Sequence, residues 1–249
     1  MTETKPARYW EIDALRGVGI VMMLIHHTLA DLEEFGGRSF GLYQGGWLVY
    51  ERFGASLFLL LVGVSLSISY ARGRERGEAS AFRRYLRRGA AIFAWGLAVT
   101  AGTWLVLGRG FVVFGVLHLI GLSSILGYPF LRRPALAAAG SLLFLLGGFV
   151  VRELTAKTGA WLWLGILQHG FYSVDYFPLV PWFGVILAGV ALGQWLYPQG
   201  RRVFWLPDAG RLAPVRALVW LGQRSLTIYL LHQPCIIALL LLVGAILSS

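Results

Sequence analysis

The amino-acid sequence predicts an all-α fold, a helical bundle that crosses a membrane about seven times. Of its 249 residues, 57% are apolar and only 14% are charged, whereas about 25% are charged in an ordinary soluble domain. The apolar residues also gather into long runs, and a helix needs about 20 of them to cross the hydrocarbon layer. We therefore expect one multi-pass domain, residues 1–249, in the plasma membrane.

Seven runs approach the length of a membrane span. They cover residues 14–31, 46–70, 86–107, 111–131, 134–151, 178–197 and 217–247. The first run is not a cleavable signal peptide, because Glu11, Asp13 and Arg16 precede it and no small-residue cleavage site follows it.

The basic residues fall on one side of this arrangement. Lys and Arg divide 17 to 5 between alternate connections of the seven runs. The positive-inside rule then places the N-terminus in the cytoplasm, and seven spans place the C-terminus outside. The formal net charge of +10 reflects this topology and not an affinity for nucleic acid. Cys235 is the single cysteine, which excludes an internal disulfide bond.

Ionisable residues within the predicted spans are candidates for function, because lipid makes their burial costly. They are Arg16, His26, His27, Asp31, His118 and His232. Eleven positions separate Arg16 from His27, which at about 100° per residue brings both within about 20° of one direction. Asp13 and Asp31 extend this face into a polar stripe about 27 Å long, whereas His26 points about 80° away.

Membrane anchoring explains the ends of the stripe, since Arg16 can reach the inner headgroups and Asp31 can end the helix at the outer surface. A double histidine about 15 Å deeper than Arg16 favours function. Asp31 follows His27 by four positions and is placed to fix the tautomer of that imidazole. We therefore rank His27 above His26 as the chemical residue, and expect His26 to bond a neighbouring helix or to orient its partner.

The other polar positions keep two interpretations each. His118 is either catalytic or bonded to a backbone carbonyl of the next helix. His232 and Gln233 precede Pro234, whose missing N–H frees a carbonyl one turn back, so they either line a site or satisfy a helix kink. The external segment 152–177 is either an aromatic belt or a lip that binds substrate. It contains Trp161, Trp163, His169, Tyr172, Asp175 and Tyr176.

These residues stand in five longer motifs. The motifs are Ile12-Asp-Ala-Leu-Arg-Gly17 running into His26-His27, Ser56-Leu-Phe-Leu-Leu-Leu-Val-Gly-Val-Ser65, the His118 segment, Asp175-Tyr-Phe-Pro-Leu-Val-Pro-Trp-Phe-Gly184 and Tyr229-Leu-Leu-His-Gln-Pro234. Together they resemble the heparan-α-glucosaminide N-acetyltransferase catalytic-domain family over nearly the whole chain. Arg16 and His27 enclose ten residues, which is similar to the R-x10-H signature of the transmembrane acyltransferases that modify sugars.

This resemblance implies an acyltransferase that takes an acetyl group from cytoplasmic acetyl-CoA and passes it to an amine or hydroxyl outside. The acceptor is a sugar or related compound, though not of necessity heparan sulfate, because this chain is shorter than the lysosomal enzyme and lacks its lumenal domain. The implied catalytic residues are His27, as general base or as a nucleophile that carries the acetyl group, with His26, Asp31 and His118. The residues expected at the cofactor phosphates are Arg16, Arg72, Arg83 and Arg224. Those expected at the acceptor are Asp175, Tyr176, Trp182, His232 and Gln233.

Other classes of membrane protein match less well. A retinal protein needs a lysine in its last span, and the only lysines are Lys5 and Lys157. A rhomboid-like protease needs Gly-x-Ser-Gly, whereas the nearest phrase is Gly121-Leu-Ser-Ser124. No metal is expected, because the adjacent His26 and His27 face apart.

Two alternatives from other classes remain open. One is a proton-coupled transporter or channel in which His27, His118 and His232 form a relay. The other is a subunit without activity that binds lipid or a partner protein. Gly189 and Gly193 form a small-xxx-small pair, typical of close helix packing, and a chain of this size with such a pair is a candidate homodimer.

Overall fold

The computed structural model describes residues 8–37, 39–42, 44–77 and 81–248. Lys5 and Arg38, which entered the charge count, lie outside these residues. Within them the chain forms eight α-helices. They are α1 Trp10–Gly36, α2 Gly45–Glu75, α3 Ala81–Leu107, α4 Val116–Leu126, α5 Pro134–Arg152, α6 Leu179–Leu196, α7 Ala213–Gln223 and α8 Ser225–Ser248.

Short elements fill the connections between the helices. Three turns of 3₁₀-helix cover Tyr128–Arg132, Gly159–Trp161 and Pro198–Gly200. Two strands of two residues each, β1 at Thr155–Ala156 and β2 at Leu167–Gln168, pair in parallel. Helix accounts for most of the described chain, which confirms the predicted all-α class.

Six of the described helices are long and apolar enough to cross a membrane, and the chain is an integral membrane protein. The candidate spans are Trp10–Glu34, Gly45–Glu75, Phe82–Leu107, Pro134–Arg152, Leu179–Leu196 and Ser225–Val243. Three of them have few buried residues, as expected of helices that face lipid: Phe82–Leu107, Pro134–Arg152 and Ser225–Val243. In α3, for example, Trp104 and Leu105 are exposed.

The structure differs from the predicted spans at two places. Where the sequence predicts a fourth span over 111–131, α4 has only 11 residues, about 16 Å of helix against a hydrocarbon layer of about 30 Å. The run 217–247 is broken at Arg224, whose backbone leaves the helical region at φ −107° and ψ 16°. Hydropathy measures the length of an apolar run and not the direction of its backbone. It therefore indicated neither the short length of α4 nor the end of α7 before Arg224. The count of seven spans and the side of each terminus stay predictions.

The described chain divides into two compact units. Unit one contains the described residues up to Phe58 and those from Leu206 onward, hence α1, the start of α2, α7 and α8. Unit two is Leu59–Trp205, with the rest of α2 and α3 to α6. The single domain over 1–249 stays a prediction.

In unit one, glycines bring α7 directly against α1. A side chain at Gly17 would collide with the backbone oxygen of Leu218, and one at Gly222 would collide with that of Asp13. Small residues at both positions allow the two backbones to touch. This contact fixes the N-terminal end of the polar stripe of α1 beside α7.

In unit two, glycines bring α6 equally close to α2. A side chain at Gly63 would collide with the backbone oxygen of Ile186, and one at Gly189 with that of Leu60. Gly193 lies against Val64 and Ser67 of α2. The small-xxx-small pair of α6 is therefore used within the chain, and a homodimer stays a prediction without that support.

Candidate functional site

Two helices of unit one bring four polar side chains together. His27 and Asp31 lie one turn apart on α1, which runs unbroken from Trp10 to Gly36. His232 and Gln233 come from α8, just before the proline inside that helix. Asp31 is 7% exposed and His232 is 8% exposed. We call these four residues the histidine cluster.

Gln233 lies between Asp31 and His27. Its amide nitrogen Nε2 donates to both carboxylate oxygens of Asp31, at 2.7 Å to Oδ1 and 3.0 Å to Oδ2. Its amide oxygen Oε1 lies 3.1 Å from Nδ1 of His27. The sequence predicts that Asp31 orients His27 through direct contact at a spacing of four residues. In the structure the carboxylate reaches the imidazole through the glutamine amide instead.

His232 makes the second contact to His27. Its Nε2 lies 3.1 Å from Nδ1 of His27, and the two ring centroids are 4.8 Å apart at an angle of 63°. The other ring nitrogen of His232, Nδ1, lies 2.7 Å from the backbone oxygen of Tyr229 in the preceding turn. His232 and Gln233 thus contact the side chain of α1 that the sequence ranks first.

His26 points to a different neighbour. Its ring centroid is 5.9 Å from that of His27, and the rings meet edge to face. Glu51 of α2 interacts electrostatically with His26. The adjacent histidines therefore interact with different helices: His26 with Glu51 of α2 and His27 with two residues of α8.

A second polar group lies at the N-terminal end of α1. Asp13, 4% exposed, accepts a hydrogen bond of 3.1 Å from Nε2 of Gln223 at the end of α7. Nη1 of Arg16 lies 3.4 Å from Oδ1 of the same carboxylate, and Nη1 of Arg8 lies 4.0 Å from Oδ2. We call Asp13, Arg16 and Gln223 the arginine cluster. Sequence reasoning missed Gln223, since α7 and α8 were taken as one span.

One face of α7 carries basic and aromatic side chains. Arg216 and Trp220 lie one turn apart on α7, and Arg224 directly follows the helix, with its guanidinium carbon 4.5 Å from the centroid of the Trp220 ring. A surface groove of about 530 Å³ adjoins this face. Its lining consists of Ala213, Arg216, Ala217, Trp220 and Leu221. Arg216 and Trp220 were missed for the same reason as Gln223, although their spacing is visible in the sequence.

His118 lies in unit two and has partners for both ring nitrogens. The backbone N–H of Gly115 donates to Nδ1 at 3.2 Å, so Nε2 carries the proton and lies 3.4 Å from Oγ1 of Thr100. The ring also packs between Phe93 and Phe114. These contacts fix the first turn of α4 and favour the structural interpretation of His118 over the catalytic one. Its main-chain partner is the N–H of Gly115 at the start of its own helix, not a carbonyl of the next helix.

Three residues expected at the acceptor make local contacts in unit two. Oδ2 of Asp175 accepts a hydrogen bond of 3.3 Å from the backbone N–H of Val116 at the start of α4. The hydroxyl of Tyr176 donates to the backbone oxygen of Leu162 at 2.7 Å, and burial raises the pKa of Tyr176 to about 12. Trp182 packs on Phe177 with ring centroids 4.9 Å apart.

The external segment also borders a cavity. This cavity, of about 700 Å³, lies between the loop after α3 and the segment around β2. Its lining includes Arg109, Gln168, Phe171 and Tyr172. Trp161 and Tyr172 are more than half exposed. The structure thus gives the segment both an exposed aromatic surface and a concave one.

The remaining arginines expected at the cofactor lie in unit two. Nε of Arg72 donates to the backbone oxygen of Gly200 at 3.4 Å, whereas the side chain of Arg83 is exposed. In the described part of the chain, no three His, Cys, Asp or Glu side chains form a group suited to hold a metal ion.

Comparison with known proteins gives one match. A family model described as "Heparan-alpha-glucosaminide N-acetyltransferase, catalytic" matches residues 8–234. These residues include the whole histidine cluster and the whole arginine cluster. The search of curated proteins finds no match, and neither does the search of solved structures.

Proposed function

The chain belongs to the heparan-alpha-glucosaminide N-acetyltransferase catalytic family, and from that premise we propose acetyl transfer from acetyl-CoA with His27 as the general base. The family makes the chain a membrane acetyltransferase. The proposed acceptor is an amine or hydroxyl of a sugar-like compound on the outer side of the plasma membrane. The observation that carries the proposal is the hydrogen-bonded arrangement around His27, which leaves one ring nitrogen for chemistry.

The Nε2 atom of His27 is the proposed base. Both hydrogen bonds of this imidazole are made by Nδ1, to Gln233 and to His232. Within residues 8–37, 39–42, 44–77 and 81–248, no polar group hydrogen-bonds Nε2. A general base needs an unprotonated nitrogen within hydrogen-bond reach of the proton that it removes.

His27 then moves one proton twice. Its Nε2 accepts the proton of the acceptor amine or hydroxyl as that nitrogen or oxygen bonds to the acetyl carbon. As the carbon–sulfur bond breaks, His27 returns the proton to the departing thiolate sulfur. The imidazole ends neutral, and the reaction consumes no net proton at the site.

Residues near the arginine cluster fit the charged end of the donor. A CoA thioester presents phosphates and an adenine ring, and it supplies an activated acetyl group. Arginine forks bind phosphate oxygens well, and an indole ring offers a stacking surface. Arg16, with 21% of its side chain exposed, and the α7 face of Arg216, Trp220 and Arg224 offer both features. For Arg72 and Arg83 of unit two, cofactor binding stays a prediction.

The contacts divide the residues expected at the acceptor into two groups. His232 and Gln233 bond to His27, so we assign them to the surroundings of the base. Asp175, Tyr176 and Trp182 have local partners in unit two. Their part in acceptor binding stays a prediction, for which the adjacent cavity of about 700 Å³ offers room.

The transporter interpretation has no comparable support. A relay through His118 needs a ring nitrogen that can exchange protons with another group. Within the described residues of unit two, both nitrogens of His118 are engaged, by Gly115 and by Thr100.

Acetyl transfer in lipid nanodiscs tests the proposal. The purified chain is supplied with acetyl-CoA and with glucosamine or a neutral sugar, and product is measured by mass spectrometry. We expect acetylated sugar from the wild type and almost none from His27→Ala. The control is Leu241→Ala, since Leu241 is an exposed apolar residue of α8 outside both clusters. Full activity in His27→Ala would contradict the assignment of the base.

A further inference from the structure

Two consecutive residues of α8 present hydrogen-bond acceptors to the same atom of His27. Oε1 of Gln233 and Nε2 of His232 both lie 3.1 Å from Nδ1 of His27. The protonation of an imidazole nitrogen is set by the groups that it faces, and a neutral imidazole carries its proton on one nitrogen only. The orientation of each neighbour therefore decides which nitrogen of His27 is the base.

Asp31 fixes the orientation of Gln233. A carboxylate is purely an acceptor, so the side-chain atom of Gln233 that contacts both its oxygens at 2.7 and 3.0 Å is the amide nitrogen. The amide oxygen then faces His27, and an amide oxygen has no proton to donate. The nitrogen of His27 that meets it has to be the donor.

The backbone fixes the orientation of His232 independently. The oxygen of Tyr229 is a carbonyl, so Nδ1 of His232, at 2.7 Å, carries a proton. In the neutral ring Nε2 then has a lone pair, and this lone pair faces Nδ1 of His27 at 3.1 Å. This second chain of bonds, which shares no residue with the first before His27, requires the same proton.

We propose that His232 and Gln233 are positioning residues that hold His27 in its Nδ1–H tautomer and so direct the lone pair of Nε2 to the substrate. The tautomer follows from the hydrogen bonds alone. Its use in catalysis rests on the proposed function. Two adjacent residues of α8 thereby determine which nitrogen of His27 acts as the base. Each of them is held by a different partner, His232 by Tyr229 and Gln233 by Asp31.

Tautomers are measured directly by nitrogen-15 NMR. The chain is labelled at its five histidines, reconstituted in nanodiscs and kept at a pH where imidazoles are neutral. His27 signals are assigned by their loss in His27→Gln. We expect Nδ1 of His27 to be protonated and Nε2 to be unprotonated in the wild type. A protonated Nε2 in the wild type would overturn the inference, whatever the variants do.

Variants separate the two series of hydrogen bonds, one through Gln233 and one through His232. Gln233→Met and His232→Phe each remove one acceptor, and the double variant removes both. We expect the single variants to keep the Nδ1–H form with a weaker hydrogen bond and the double variant to populate both tautomers. The control is Gln223→Met, which removes the amide that bonds Asp13 and is expected to leave the His27 signals unchanged. A single unchanged tautomer in a folded double variant would contradict the proposed role.

Kinetics then separates this inference from the proposed function. In the double variant, where His27 loses both contacts to Nδ1, kcat for acetyl transfer is expected to fall by about tenfold to a hundredfold, with KM for acetyl-CoA nearly unchanged. Each single variant keeps one contact and should lose less. If the tautomers behave as expected but the wild type transfers no acetyl group, the positioning role holds and the proposed function fails. If the wild type transfers acetyl and His27 is the Nε2–H tautomer, the inference fails and the function holds. An unchanged kcat in a double variant that populates both tautomers would contradict a catalytic use of the fixed tautomer.

Discussion

Unit one contains two carboxylate–amide pairs of the same construction, one towards each end of α1. The first pair is the one nearer the N-terminus. Asp13 of α1 accepts a hydrogen bond from Gln223, the last residue of α7. Its side chain, 6% exposed, also pairs with the guanidinium of Arg16. The guanidinium and the amide thus contact the same carboxylate, and the pair holds the arginine in place. This end of α1 thus presents an ion pair of Arg16 with Asp13.

The second pair lies 18 positions further along α1, a distance of about 27 Å. Asp31 accepts from Gln233, whose amide oxygen turns to His27 in place of an arginine. The neutral amide of Gln233 orients the ring of His27 and brings no charge to it. The same pairing thus serves two tasks, and the third residue decides which: arginine suits a phosphate, whereas histidine suits a proton transfer.

The largest effect is expected at the third residue of the second pair. His27→Ala removes the base, and kcat for acetyl transfer should fall by about 10² to 10⁴. In contrast, His26→Ala alters a side chain that turns to α2 and should lower kcat far less. Both variants are measured in nanodiscs at saturating acetyl-CoA. A loss in His26→Ala as large as in His27→Ala would show that the two histidines are misassigned.

The third residue of the first pair should affect binding instead. Arg16→Ala removes a guanidinium from the donor side, and KM for acetyl-CoA is expected to rise by about tenfold to a hundredfold with kcat nearly unchanged. Isothermal titration with CoA gives the same comparison at equilibrium, and there His27→Ala should bind like the wild type. Normal CoA affinity in Arg16→Ala would remove the arginine cluster from the donor site.

Replacing the two carboxylates should also affect kcat at the second pair and KM at the first, by smaller factors. Asp31→Leu leaves the amide of Gln233 without its acceptor, so kcat should fall by about tenfold. Asp13→Leu should act mainly on KM for acetyl-CoA, because it releases Arg16 from its ion pair. Steady-state kinetics of both variants distinguishes the two cases. Equal effects of the two variants on kcat would mean that the pairs do not differ in function.

The smallest effect on catalysis is expected from the packing that holds the first pair together. Gly222→Ala places a methyl group against the backbone of Asp13 and should destabilise the protein by about 1–3 kcal/mol. Gly46→Ala is the matched control, since nothing lies within 4 Å of the added carbon. Thermal unfolding in detergent measures both. A lower melting temperature in Gly46→Ala than in Gly222→Ala would contradict the close contact of α7 with α1.

In both carboxylate–amide pairs, the sequence predicted the residues on α1 and not their contacts with the second helix. Eleven positions between Arg16 and His27, and four between His27 and Asp31, follow from the helical period, so the stripe of α1 was visible. The partners were not, because Gln223 and Gln233 are separated from it by about 200 residues. Helical periodicity places residues on a face and does not say which distant helix covers that face.

In unit two, the contacts of His118 favour one of the two interpretations that the sequence leaves open. His118 is an ionisable residue in an apolar run, which made it a candidate for catalysis. Its hydrogen bonds to Gly115 and Thr100 depend on the turn before α4 and on the course of α3. A short helix in place of a long span, and the carboxylate of Asp175 at its start, are likewise consequences of tertiary packing.

The most direct test of the account is the rate of acetyl transfer in one pair of variants. Wild type, His27→Ala and Arg16→Ala are compared in nanodiscs, with glucosamine as acceptor and a full titration of acetyl-CoA. The account predicts that His27→Ala binds the donor normally and fails to transfer, whereas Arg16→Ala transfers normally once the donor is saturating. Transfer by His27→Ala at the wild-type rate would contradict it.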